Sequence, residues 1–168
     1  MLKLKQADLF ETFESLPNSF LVHCCNCFHT MGAGVAAEVR RRYPEAYRAD
    51  LETPRGDPRK LGTTSSASVG NRRVFNLYGQ FSFGGGRDLD YDALERGLRV
   101  IAAEASKQSA LGIRTVIVTY KIGCGLAGGD WGEVFSILDR VGGEYDVDIV
   151  VADKSFGAPT TQSPPNSP

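Results

Sequence analysis

The chain has no apolar run approaching about 20 residues, so no segment reads as a membrane-spanning helix. Its first ten residues, Met1 to Phe10, lack the long apolar core of a signal peptide, and a cytoplasmic location is expected. Charge of either sign is not in excess. A net charge of −1 gives no global reason for affinity to nucleic acid or membrane. Cysteine is scarce and badly placed for bridging: three of the four are crowded at Cys24, Cys25 and Cys27, which argues for a reduced, cytosolic chain. No Gly-Lys-Ser/Thr follows any glycine loop, which excludes a Walker phosphate loop. The 168 residues amount to one domain, enough to bury roughly 70% of the unfolded surface.

Glycine-rich turns at strand ends are what the sequence does have. The stretch from Val116 to Val134 reads VIVTYKIGCGLAGGDWGEV. A β-branched run, Val116 to Val118, enters a loop holding Gly123, Gly125, Gly128 and Gly129, and a helical pattern resumes at Asp130. Glycine this close to a strand end signals a sharp turn or a close approach that a Cβ would block. Bare amides ahead of a helix N-terminus make an anion site, with Asp130 suited to the N-cap. Two further units repeat the arrangement. Phe20 to Cys24 is a compact buried strand leading to Asn26 and then Met31-Gly32-Ala33-Gly34. Arg72 to Leu77, the second arm of a hairpin turned at Gly70-Asn71, leads to Gln80-Phe81-Ser82-Phe83-Gly84-Gly85-Gly86-Arg87.

The remaining elements fill in around these units. Leu2 to Lys5 alternates as an edge strand, and a short helix starts near Asp8. A helix with Val35, Ala36 and Val39 inward runs to Pro44, which begins another turn to Leu51. Thr53 to Lys60, with two prolines and four charges, reads as a surface loop. Tyr91 to Gln108 and residues 131–140 read as amphipathic helices, and Val147 to Val151 as a last buried strand. Strands alternating with helices predict a three-layer α/β/α sandwich on a mixed, largely parallel sheet. One domain is expected over residues 1–154, with a disordered Pro/Ser/Thr-rich tail over 155–168. In such sheets ligands sit beyond the carboxyl ends of the strands, so three glycine loops on parallel strands converge on one cleft. Amide-rich loops of that number suit a diphosphate with sugars better than a lone phosphate.

His23, Cys24, Cys25, Cys27 and His29 lie close enough in sequence to suggest zinc. Neighbouring residues on a strand point to opposite faces, so few of these side chains can converge, and no metal is expected. Arg40, Arg41 and Arg42 read as an exposed helix face rather than a nucleic-acid footprint.

Three sets of residues resemble the macrodomain family. His23-Cys24-Cys25-Asn26-Cys27, Met31-Gly32-Ala33-Gly34-Val35-Ala36 and Arg42-Tyr43-Pro44 resemble its first binding loop. Ile122-Gly123-Cys124-Gly125-Leu126 with Asp130-Trp131 resembles its diphosphate loop, and Asp8-Leu9-Phe10 its early acidic adenine contact. The order and spacing match over residues 1–152. The branches most resembled are the ALC1-like terminal ADP-ribose glycohydrolases and the yeast-type ADP-ribose-1''-phosphate phosphatases. Ser82-Phe83-Gly84-Gly85 is similar to the phosphatase branch.

The resemblance implies a cleft for ADP-ribose. Asp8, with Leu9 beside it, would accept from the adenine amine, a role compatible with an N-cap. Asn26 would hold the distal ribose hydroxyls, or serve as an Asx turn. Met31, Gly32, Ala33, Gly34 and Val35 would admit the distal ribose and phosphate. Ile122, Gly123, Cys124, Gly125 and Leu126 would wrap the diphosphate with backbone amides, Cys124 acting as a small filler. Gln80, Phe83 and Gly84 complete the expected site. The implied function is binding of ADP-ribose and hydrolysis of a derivative: ADP-ribose-1''-phosphate, or an ADP-ribosyl group on protein or nucleic acid. A non-catalytic reader is the alternative. Neither cofactor nor membrane is implied, and a monomer is expected.

Catalysis is where this chain departs from its relatives. The lysine of the glycohydrolases is replaced by Tyr78-Gly79-Gln80, and the aspartate of their diphosphate loop by Ala127. A covalent lysine–ribose mechanism, which needs an amine nucleophile, is therefore excluded at that position. Where the phosphatase branch has a histidine, Gly86-Arg87-Asp88 stands. The remaining catalytic candidates are Asn26, Gln80, Arg87 and Asp130. Asp130 could position a water or only cap its helix; Arg87 could neutralise a terminal phosphate or be a solvated loop residue.

Overall fold

The computed structural model describes residues 1–157. Six strands form one mixed sheet in the order β1-β6-β5-β2-β4-β3. The strands are β1 (Leu2–Lys5), β2 (Phe20–Cys25), β3 (Thr64–Val69), β4 (Arg72–Tyr78), β5 (Ile117–Thr119) and β6 (Ile149–Ala152). All pairings are parallel except β3 with β4, the hairpin turned at Gly70, whose φ is +61°. Alternation along the strands explains the layering. Phe20 and Val22 of β2 face one core with Phe75 and Leu77 of β4, whereas Leu21 and Cys25 face the other with Val74 and Tyr78. Both faces of the sheet are thus apolar and both are covered, which is the expected α/β/α sandwich.

Helices α4 (Tyr91–Ala110) and α5 (Trp131–Tyr145) cover one face. Gly97 lets α4 lie flush on the sheet: a Cβ there would come 2.6 Å from Leu77 Cγ. Helices α1 (Leu9–Ser15), α2 (Gly34–Arg42) and α3 (Pro44–Leu51) cover the other face. Pro44 stands in the first turn of α3, where its missing N–H costs nothing. Arg41 and Arg42 pair with Glu38, and Arg40 lies 3.9 Å over the Tyr47 ring, so the arginine run is engaged on its own helices. Among the described residues no helix is long and apolar enough to cross a membrane.

Two sequence expectations change. The segment from Thr53 ends in a 3-10 turn at Pro58–Lys60, and Lys60 is not on the surface but 5% exposed. The chain also stays packed past residue 154: Phe156 sits against the α5 core, its ring 6.3 Å from Trp131. The rest of the expected tail lies outside the described residues.

Candidate functional site

Register puts three loops side by side. Parallel pairing sets Cys25 of β2 beside Tyr78 of β4, and Val22 of β2 beside Thr119 of β5. All three strands run the same way, so Asn26, Gly79-Gln80 and Tyr120-Lys121-Ile122 leave the same edge of the sheet. They bound a cleft of about 810 Å³, within the ordinary range for a cofactor-sized ligand.

Most of the sequence-derived site residues meet here. Asn26, Met31, Gly32, Ala33, Gly34, Val35, Gln80, Phe83, Gly84, Ile122, Gly123, Gly125 and Leu126 all line the cleft. Asn26 is held as an Asx turn: Oδ1 accepts from Phe28 N (2.8 Å), and Nδ2 donates to Thr30 Oγ1. Gln80, 9% exposed, donates from Nε2 to Ser82 O (2.8 Å) and accepts at Oε1 from the Cys24 thiol (3.7 Å). Two amide side chains, each fixed by its own loop, therefore line the same cleft.

The open amides come from α2 rather than α5. Ala33 at the α2 N-cap has no side-chain acceptor, so the first-turn N–H groups of α2 open into the cleft with the positive end of the dipole. In the same cleft, the amides of Gly125, Leu126 and Ala127 have no acceptor among the described residues. The α5 N-terminus is closed by Asp130, which accepts from Glu133 N at 3.0 Å and receives Tyr91 as partner to its own N–H.

Several expectations are corrected on this geometry. Asp130 lines a separate shallow depression with Tyr91, Glu95 and Glu133, and its carboxylate caps α5 instead of facing the cleft. Arg87 is exposed and outside the cleft, because the main chain turns back at Asp88 and Leu89, whose N–H groups both donate to Ala127 O. Asp8 caps α1, accepting from Phe10 and Glu11 N–H, and Leu9 is buried in the α1 core; neither lines the cleft. The Glu11 amide, helped by Lys154 nearby, holds the Asp8 carboxyl below the usual carboxylate range. Cys124 turns its thiol onto Ile122 O and also stays out of the lining.

Burial settles the chemistry of the other reactive side chains. It pushes the Cys24 thiol up to about 12 and Cys124 up to about 11, so neither is a thiolate at neutral pH. His23, bonded through Nε2 to Asn76 Oδ1 at 2.7 Å, is driven down to about 4 by the same desolvation. His29 points away to Thr53 O (2.8 Å), and among the described residues no group of three or more His, Cys, Asp or Glu could hold a metal ion.

The cleft also contains Thr30, Ala36, Gly86, Tyr120, Lys121 and Ala127, which sequence reasoning did not select. Lys121 adjoins Ile122 and pairs with Asp153 at 3.7 Å, with its amine 4.9 Å over Phe156. Its position between a strand end and a glycine loop was the available signal.

The Macro domain family matches residues 22–138 of this chain. A phage T4 protein, an uncharacterized 17.5 kDa protein in the tk-vs intergenic region, is 32% identical, covering 89% of this chain and 96% of its own. The ADP-ribose 1''-phosphate phosphatase of Debaryomyces hansenii is 29% identical, over 83% of this chain and 93% of its own. Among solved structures, Thermosipho africanus DarTG in complex with ADP-ribose superposes with a TM-score of 0.66 at 18% identity, over 90% of this chain and 41% of that one. The family match spans more than half the chain and contains all three cleft loops: the chain belongs to the Macro domain family.

Proposed function

We propose that the cleft binds ADP-ribose and that the protein hydrolyses a derivative of it, ADP-ribose-1''-phosphate in the first instance. The observation that carries the binding is two sets of open amides on one cleft, the first turn of α2 and the Gly125–Ala127 loop. They suit a diphosphate, and the Asn26 and Gln80 amides in the same cleft suit ribose hydroxyls. Similarity to the Debaryomyces phosphatase and to a protein solved with ADP-ribose supports the same ligand.

In the reaction, a water oxygen attacks the 1''-phosphorus, the bond from phosphorus to the ribose oxygen breaks, and that oxygen takes a proton. Asn26 and Gln80 would orient the ribose and the water. The amides would neutralise charge on the diphosphate while the terminal phosphate is displaced. An ADP-ribosyl group on protein or nucleic acid would meet the same residues with a different leaving group. The second reading, a non-catalytic ADP-ribose reader, is favoured by one observation: among the described residues no Asp or Glu lines the cleft to act as general base.

Phosphorus NMR of ADP-ribose-1''-phosphate with the native protein, Asn26→Ala and Asp130→Ala decides between them. Phosphate release that is lost in Asn26→Ala and kept in Asp130→Ala supports the hydrolase. Broadening of the ligand lines without release supports the reader, and neither effect refutes the ligand.

A further inference from the structure

Behind the cleft, on the α3 face of the sheet, lies a charged pair that the ligand would not touch. Lys60 is 5% exposed and Asp50 1% exposed, with Nζ 3.9 Å from Oδ1. A buried lysine is expensive unless it is paired and hydrogen-bonded. One proton of this amine goes to Cys27 O at 3.4 Å, while Asp50 Oδ1 balances its charge at ion-pair distance and the Tyr78 ring faces it at 4.5 Å. Asp50 Oδ1 in turn accepts from Tyr78 Oη at 2.7 Å, while Asp50 Oδ2 is buried with no partner among the described residues.

The attachment points give the cluster its meaning. Cys27 follows Asn26 directly, and Tyr78 ends β4 two residues before Gln80. The Cys27 carbonyl is also held by Gly56 N at 2.7 Å, and Cys27 N donates to Phe81 O at 3.0 Å. The Cys27 thiol reaches Gln80 O at 3.5 Å. One ion pair therefore ties together the two loops whose amide side chains line the cleft.

We propose that Lys60 and Asp50 are positioning residues, a buried brace that fixes Asn26 relative to Gln80 and so sets the distal-ribose end of the site. The inference rests on the ADP-ribose reading for its ligand, though not for its mechanical part. An apolar pair would fill the same space and leave the Cys27 carbonyl to Gly56 N alone.

The test uses Asp50→Asn/Lys60→Met, which removes both charges and leaves no buried ion alone, beside Lys60→Met. Amide hydrogen exchange is read at Cys27, Phe28 and Gly56, and calorimetry compares ADP-ribose with ADP, which lacks the distal ribose. In the folded double variant, exchange at those amides should rise at least tenfold. ADP-ribose should bind at least tenfold more weakly, with ADP changed less than twofold. Unchanged exchange overturns the brace, and equal loss of both ligands overturns the positioning role in favour of a merely structural one. If the native protein binds neither ligand, the ADP-ribose reading falls, and the exchange result alone still decides whether the pair holds the loop.

Discussion

Replacing Gly128 by alanine tests how tightly two cleft loops are locked together. Gly128 has φ +72°, and a Cβ there would overlap the Gly86 carbonyl, lying 2.7 Å from its carbon and 3.3 Å from Arg87 Cα. Carbon contacts rest at about 3.5–4.0 Å and the Gly86 oxygen lies nearer than its carbon, so the Gly86 backbone must retreat by more than about 1 Å. It cannot do so freely, because Asp88 N and Leu89 N both donate to Ala127 O, at 2.9 and 3.1 Å. Gly112→Ala is the matched control: φ is +83° and its Cβ would meet nothing within 4 Å. Each substitution should lose about 1–2 kcal/mol to the left-handed backbone. Only Gly128→Ala should lose more, a further 1–3 kcal/mol or so of overpacking. In thermal unfolding that excess is roughly 2–4 °C per kcal/mol for a domain of this size. Gly86 and Ala127 both line the cleft, so ADP-ribose affinity measured by calorimetry should fall at least tenfold, about 1.4 kcal/mol, in Gly128→Ala alone. Equal melting temperatures for the two variants, with affinity within twofold of native, would refute the contact between the loops.

Asp130→Ala should destabilise the protein by about 1 kcal/mol through loss of the α5 N-cap, yet leave ADP-ribose affinity unchanged; a large affinity loss would return Asp130 to the site. Lys60→Met alone strands the Asp50 carboxylate and should lose about 3–5 kcal/mol in urea unfolding, most of it recovered in Asp50→Asn/Lys60→Met. His23 gives a pH window. Its folded pKa, about 4, lies below the unfolded value near 6.5, so the unfolded chain binds more protons between these limits and stability falls as pH drops through them. At pH 5 the loss should be about 2 kcal/mol relative to neutral pH, and a His23→Gln variant should show a flatter profile between pH 7 and 5. With raised thiol pKa values, Cys24 and Cys124, both half-buried, should react slowly with iodoacetamide at pH 8 in the native state and quickly in urea; rapid native labelling of Cys24 would contradict its raised pKa.

The alternation of β-branched runs, glycine loops and amphipathic helices determined the layers, the parallel strands and the convergence of three loops on one cleft. These follow from local chemistry: a Cβ-free turn at a strand end and a helix behind it need nothing from elsewhere in the chain. The hairpin at Gly70-Asn71 and the Asx turn of Asn26 were legible for the same reason. The direction of Asp130 was not. An aspartate before a helix reads as a cap or a catalytic group, and only its bond to Glu133 N and its place outside the cleft assign it to the cap. The open helix end likewise proved to be that of α2 and not the capped end of α5, because packing decides which helix end meets the strand termini. Lys60 shows the limit most plainly. In a stretch of prolines and charges it looks solvated, and its burial depends on Asp50, Tyr78 and Cys27, partners 10 to 33 residues away that only the folded sheet brings together.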